Sequence, residues 1–203
     1  MNPIDRLTEA FEKFPGIGPR QARRFVQYLL SAAPGSRADI AEQIKALGAN
    51  TAQCSSCYRW FPIGKQASNG ARVGILCDIC GDSHRDTATL FVVEKDADID
   101  NVERSGFKGT YFVLGGTVPL AAEEPARHIR LRELQKRVAE NKLGEIILGL
   151  SATTEGDHTR NILQEVLKDL GKKISSLGRG LSTGSELEYA DPDTIASALS
   201  SRS

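Results

Sequence analysis

Four cysteines, one methionine and one tryptophan occur in 203 residues, and aromatic residues make up 6% of the chain. No charge of one sign is in excess: Lys+Arg and Asp+Glu are 26 each. Net charge therefore gives no argument for a nucleic-acid partner. No apolar run approaches the ~18–20 residues of a membrane span. The opening MNPIDRLTEAFEKF is amphipathic, carries acids and lacks an apolar core stretch, so it does not read as a secretory signal. A GxxxxGK[ST] phosphate loop is missing, and neither Gly115-Gly116 nor Gly178-x-Gly180 fits a dinucleotide fingerprint, which disfavours nucleotide hydrolysis. Repeats and low-complexity tracts are absent. What is present is ordinary for globular proteins, 40% apolar and 26% charged residues in a length that suits one large or two to three small domains. The cysteines fall in two CxxC pairs. Without a secretory signal this reads as metal binding in a reducing compartment, with the cytoplasm as the expected location.

The first 50 residues predict helices. Asn2-Pro3 is a cap followed by Pro at the first helical position. Ile4, Leu7, Phe11 and Phe14 recur at three- and four-residue steps and predict a buried face. Pro15-Gly16 stops this helix, Gly18-Pro19 starts a second, and Pro34-Gly35 ends that one. Ser36 with Asp39 resembles a capping box that opens a third helix, for which Gly48 is a plausible C-cap. Residues 53–81 hold all four cysteines and Trp60, with too few apolar residues for an independent core. From residue 88, the apolar runs LFVV (90–93), YFVL (111–114) and EIILGL (145–150), with a weaker KISSL (173–177), alternate with helical segments near 98–105, 124–142 and 157–170. That alternation predicts an α/β fold with a parallel sheet covered by helices on both faces. A Gly/Ser-rich stretch and a short helix after Asp191-Pro192 close the chain.

Between the first two helices lies Pro15-Gly16-Ile17-Gly18-Pro19-Arg20-Gln21-Ala22. Two glycines in so short a turn permit close approach of the backbone to a neighbouring surface. The helix that follows presents unpaired amides and the positive end of its dipole, which attract phosphate. Arg20, Arg23, Arg24 and Gln27 stand at i, i+3, i+4 and i+7 and so share a face. From Lys13 to Arg37 there are five basic residues and no acid. Physics alone leaves two readings, a phosphate grip or a solvated basic face. The string PGIGPRQA closely resembles the helix–hairpin–helix element of non-sequence-specific DNA-binding proteins. That resemblance implies contacts from Gly16, Gly18, Arg20, Arg23 and Arg24 to the sugar–phosphate backbone rather than to bases.

Cys54-Ser-Ser-Cys57 and Cys77-Asp-Ile-Cys80 are 19 residues apart. Four thiolates in two knuckles suit a tetrahedral, structural Zn²⁺ with no open position. The alternative is four ordinary buried thiols or two redox pairs. His84 is surplus to a four-ligand site and is expected to be solvated. Lys172, Lys173 and Arg179 form a smaller basic cluster, and the run Glu94 to Glu103 holds five acids and one lysine that predict a solvated loop and helix.

Phe91-Val92-Val93-Glu94 sets a carboxylate at the end of a buried strand, and the strand at 145–150 delivers Ser151-Ala-Thr-Thr-Glu155-Gly156-Asp157 to the same edge. Ligand sites of open α/β sheets gather there. The pair resembles the Toprim domain of topoisomerases and primases, in which a glutamate and an Asp-x-Asp pair hold Mg²⁺. Here Ser151 and Thr153 occupy the two aspartate positions. Glu94, Glu155 and Asp157 remain as a residual Mg²⁺ site, with weak or no binding and no cleavage expected. The bland alternative makes Glu94 a strand cap and Glu155-Gly156 a turn.

The whole order, with PGIGPRQA, CDIC, FVVE, VLGG, TTEG and the LEYAD tail, resembles the bacterial RecR recombination-mediator family across nearly the full chain. The resemblance implies domains at 1–52 (helix–hairpin–helix), 53–82 (C4 zinc finger), 83–181 (Toprim) and 182–203 (tail). It implies a non-enzymatic clamp, a dimer or tetramer ring around DNA, that works with RecO and sometimes RecF to help load RecA. The class-different alternative is a Mg²⁺-dependent Toprim phosphodiesterase or nuclease. Two departures from the family stand out. The stretch after Gly116, Thr-Val-Pro-Leu-Ala-Ala-Glu-Glu-Pro, lacks the usual longer Ser-Pro-Leu-rich loop, and an insertion around Gly64–Gly74 predicts an extra hairpin between the cysteine pairs.

Overall fold

The computed structural model describes residues 2–63, 74–140, 143–181, 184 and 186–200, so the expected hairpin within 64–73 lies outside the described residues. The chain divides into two compact units, Met1–Thr51 and Ala52–Ser203.

The first unit is three helices, α1 (Pro3–Glu12), α2 (Pro19–Ser31) and α3 (Pro34–Asn50). Asn2 caps α1 by accepting from the Asp5 amide at 2.9 Å, and Pro3 occupies the first turn, where its missing N–H leaves nothing unsatisfied. Gly16 turns the chain at φ 76°, a left-handed conformation that a side chain would strain. The third helix begins earlier than its sequence signal. Ala33 is the N-cap, no side chain caps it, and Pro34 starts the helix, so Ser36 and Asp39 lie inside it. A proline already fixed near helical φ at the first position outweighs a hydroxyl two residues later. Gly48 is likewise interior, and the helix ends at Thr51, whose hydroxyl donates to the Leu47 carbonyl at 2.7 Å.

The expected buried face of α1 is not buried within this unit. Neither α1 nor α3 contains a buried residue, and α2 contains only Ala22 and Val26. Ile4, Leu7 and Phe14 are exposed, while Phe11 stacks edge-on against Phe14 and Phe25 at 5.7 Å. Ile4, Leu7, Phe25, Leu29, Ile40 and Ile44 line an open apolar groove of about 590 Å³. Three helices of this length have too little chain to wrap their own apolar surface.

The second unit is built on a four-stranded parallel sheet in the order β4-β3-β5-β6, with β3 Asp86–Val93, β4 Gly109–Val113, β5 Glu145–Gly149 and β6 Lys173–Ser176. β3 is central and pairs Val92 with Phe112 on one side and Leu148 on the other. Side-chain alternation feeds two cores. Leu90, Val92, Phe112, Ile146 and Leu148 pack with Leu134 and Val138 of α6 (Leu131–Glu140) and with Leu163 and Leu167 of α7 (Thr154–Leu167). Phe91, Val93, Tyr111 and Val113 pack with Ile99 of α5 (Asp96–Arg104) on the other face. The expected helix over 124–142 is shorter: a 3₁₀ turn at Pro125–Arg127 precedes α6. α7 starts earlier than expected because Thr153 caps it through the Gly156 amide. A short hairpin of β1 (Thr51–Gln53) and β2 (Trp60–Pro62), and the one-turn helix α4 (Asp78–Gly81), carry the cysteines. This cysteine element shares a core with the sheet, since Cys54, Cys57, Cys77 and Ile79 join the cluster around Phe91 and Tyr111. The tail ends in α8 (Pro192–Ser200), capped by Asp191 through the Thr194 amide at 2.9 Å.

Candidate nucleic-acid interface, metal centre and acidic edge

In the helical unit, Gly18 is the N-cap of α2 and supplies no side chain to its first amides. That end of the helix is left to its own donors and dipole. Gly18 has ordinary backbone geometry, and a Cβ there would meet nothing within 4 Å, so of the two turn glycines only Gly16 is required by conformation. Arg20, Arg23, Arg24 and Gln27 are exposed and line one side of an open groove of about 730 Å³. Arg24 reaches Gln21 at 3.4 Å. Arg37 is not part of this stripe. Its guanidinium donates to the Leu29, Leu30 and Ala32 carbonyls at 2.6–3.4 Å and closes the C-terminus of α2. The opposite side of the groove is lined by Asp5, Thr8, Glu9 and Glu12 of α1, which sequence reading did not single out.

The four cysteine Sγ atoms lie within 4.8 Å of one another, and all four are free thiols. Cys57 and Cys77 approach to 3.6 Å. The Cys77 amide donates to Cys54 Sγ at 3.4 Å and the Cys80 amide to Cys77 Sγ at 3.5 Å. Hydrogen bonds from Cys57, Cys77 and Cys80 hold the Cys54 thiol far below the usual range, while its bond to Cys54 pushes Cys57 up. Four sulfurs drawn to one point, with backbone amides aimed at two of them, fit a metal ion that would replace their protons. The Cys57 carbonyl accepts from the Val113 amide at 2.9 Å, so the knuckle continues the bonding at the β4 edge. His84 is exposed and pairs with Asp82 at 3.0 Å, away from the metal donors.

At the sheet's carboxyl edge Glu94 is buried and its Oε1 accepts from both the amide and the hydroxyl of Ser151, each at 2.7 Å. Ser151 Oγ is 3.0 Å from Thr153 Oγ1. A Cβ on Gly156 would meet the Ser151 carbonyl oxygen at 2.2 Å, so glycine is what lets α7 begin this close to the strand end. Glu155 accepts from the Thr117 hydroxyl at 3.2 Å. Asp157 pairs with Arg160 and Arg179, and the Arg179 bond holds its carboxyl below the usual carboxylate range.

Comparison with known proteins places these features in one lineage. The helix–hairpin–helix model of RecR matches residues 4–47, the Toprim domain model matches 88–178, and the C-terminal model of RecR matches 180–203. "Recombination protein RecR" of Bifidobacterium longum subsp. infantis is 36% identical over 98% of this chain and 94% of its own length. The chain belongs to the RecR family. The proteins of that name from Cereibacter sphaeroides and Chloroflexus aggregans are also 36% identical over 98% of the chain, covering 95% and 93% of their own lengths.

The Toprim portion of this RecR-family chain does not fit a Mg²⁺ ion. Magnesium needs several oxygens facing one point. Glu94 is satisfied by Ser151, Glu155 by Thr117 and Asp157 by two arginines. Among the described residues the four cysteines are the one group of three or more His, Cys, Asp or Glu ligands drawn together, and no carboxylate belongs to it. Two members of the smaller basic cluster are also partnered: Lys173 pairs with Glu145 at 3.1 Å and Arg179 with Asp157. In the acidic run, Glu103 is not simply solvating. It accepts from Arg85 at 2.7 Å and from the Tyr111 hydroxyl at 2.6 Å, beneath the second core. Arg130 is a further residue without a sequence signal: it donates to the Val113 carbonyl at 2.9 Å and lies over the Tyr58 ring at 5.4 Å, tying the cysteine element to β4.

Proposed function

We propose that this RecR-family chain is a sequence-independent DNA-binding protein of recombinational repair that acts as an oligomeric clamp. The observation that carries the reading is the exposed stripe Arg20, Arg23, Arg24 beside the α2 N-terminus that no side chain caps. The family match and the relatives' name, recombination protein, support the process. Gly16 shapes the turn, Gly18 leaves the amides open, and the three arginines hold phosphate oxygens. The DNA-binding domain spans 1–52, the zinc element 53–82, the Toprim platform 83–181 and the tail 182–203. Cys54, Cys57, Cys77 and Cys80 hold a structural Zn²⁺. No catalytic residue is assigned, because the Toprim carboxylates are engaged with the chain's own donors. RecO, and RecF where present, are the partners, and help in loading RecA is the outcome, in the cytoplasm.

A clamp also answers the incomplete first unit. Its open apolar groove drains all three helices, and a second copy of the same surface, meeting it across a two-fold axis, buries both. Several copies then add weak phosphate contacts into one firm grip.

Fluorescence-anisotropy titration of an oligonucleotide at two salt concentrations tests the grip. Three arginines per copy predict a slope of log K against log salt of about −2 for each subunit engaged on single-stranded DNA. Arg20→Ala with Arg24→Ala is expected to weaken binding at least ten-fold and flatten that slope. Unchanged binding rejects the reading.

A further inference from the structure

The arginine stripe of α2 does not face open solvent on both sides. Across the 730 Å³ groove stand Asp5, Thr8, Glu9 and Glu12 of α1, at the same i, i+3, i+4, i+7 spacing as Arg20, Arg23, Arg24 and Gln27. Three carboxylates thus confront three guanidinium groups. Among the described residues no ion pair bridges the groove, and Arg20 and Arg23 have no side-chain bond to an acid. A direct salt bridge would fix the arginines and remove them from use. A facing acid wall instead leaves them free while lowering the positive potential that a phosphate meets. Charges on the two walls of one groove influence the same incoming phosphate wherever they lie within the screening length, ~10 Å at 0.1 M salt. The arrangement is encoded twice, once in each helix, and comes together only through the α1–α2 hairpin.

We propose that Asp5, Glu9 and Glu12 are affinity-setting residues of the nucleic-acid grip. They hold one copy's hold on phosphate weak, so that stable binding requires several copies on one strand and release of one copy remains easy. The inference rests on the DNA-binding reading of the arginine stripe. Its chemistry is like-charge repulsion between the α1 carboxylates and the incoming phosphodiester. Each carboxylate at about 8 Å in water opposes a phosphate enough to change affinity roughly two-fold, so removing three is expected to tighten binding about ten-fold at low salt. The gain shrinks as salt screens the groove.

The experiment measures oligonucleotide binding by anisotropy at low and high salt for the full chain. The variants are Glu9→Gln with Glu12→Gln, and the same pair with Asp5→Asn. The double variant leaves the Asn2–Asp5 cap of α1 intact and so separates a folding defect from a charge effect. Asp39→Asn with Glu42→Gln on exposed α3, outside the groove, matches the double variant's change in net charge. Support is a gain of at least three-fold for the double variant at low salt, absent from the α3 control and abolished when Arg20→Ala and Arg24→Ala are added. Binding within two-fold of wild type in the α1 variants, while the arginine variant loses binding, overturns the acid stripe and leaves the DNA-binding reading standing. An equal gain in the α3 control, or a gain that survives loss of the arginines, also overturns it, as a mere net-charge effect. If the arginine variant binds as wild type does, the grip itself is wrong and the inference falls with it.

Discussion

The helical unit and the sheet unit are made from the same kind of sequence and solve opposite problems. Residues 52–203 close two apolar layers around one sheet, and Phe112, Leu148, Ile99 and Tyr111 are fully or almost fully buried there. In residues 2–51 only Ala22 and Val26 reach that state. The sheet unit keeps its surface chemistry internally balanced, with Glu94 on Ser151, Asp157 on two arginines and Glu103 on Arg85 and Tyr111. The other leaves arginines, carboxylates and apolar side chains open toward solvent. A unit that finishes its own contacts is a platform. One that leaves them unfinished is suited to meeting something else.

The largest test of that contrast is core truncation. Phe112→Ala should cost about 3–5 kcal/mol in denaturant unfolding of the sheet unit, whereas Leu7→Ala on exposed α1 should cost less than about 1 kcal/mol in the isolated chain. If the groove pairs two copies, the wild-type helical transition depends on protein concentration, and Leu7→Ala lowers it and weakens that dependence. Equal costs for both variants would erase the distinction between the units.

Glu103 sharpens it on the sheet side. The hydrogen bond from Arg85 holds its carboxyl below the usual range. Its contribution is therefore complete above the unfolded-state value near 4.5 and is lost as pH falls through the lower folded value. Glu103→Gln should remove about 1–2 kcal/mol at neutral pH, discounted for partial exposure, and flatten the stability profile as pH falls below the unfolded-state value near 4.5. A profile unchanged by the substitution would mean the network is ornamental.

The smallest effect separates the two hairpin glycines. Gly16→Ala is expected to cost about 1–2 kcal/mol because of its left-handed backbone, while Gly18→Ala, with no strain to add, should cost about 0.5 kcal/mol, the N-cap preference of glycine over alanine. Thermal melts of the two variants decide it, and equal shifts would show that the turn is not strained.

Much of the sheet unit could be read along the chain. LFVV, YFVL and EIILGL are unbroken apolar runs, and a strand buried on both faces needs little else to declare itself. The cysteine pairs were legible because ligand spacing is local. Less of the helical unit could be read. The period of Ile4, Leu7 and Phe11 marks an apolar face correctly, yet periodicity cannot say whether anything covers it. Ser36 and Asp39 offered a cap that Pro34 made redundant. Arg37 looked like one more member of a basic patch, and its reach back to three α2 carbonyls spans a turn that no local pattern encodes. Glu103 and Arg130 act on residues far along the chain, so their partners could not be inferred from neighbours.

By itself the order of residues determined the class of each segment, the thiol donor set, the positive stripe on α2 and the two hydroxyl residues at the Toprim edge, because each depends on composition within a few turns or strands. Tertiary structure alone decided what those segments face. It joined the cysteine knuckles to the sheet's core, closed Glu94 onto Ser151 and set the acids of α1 against the arginines of α2. Charge and hydrogen bonding fall off over a few ångströms, so which groups meet depends on how distant parts of the chain fold together.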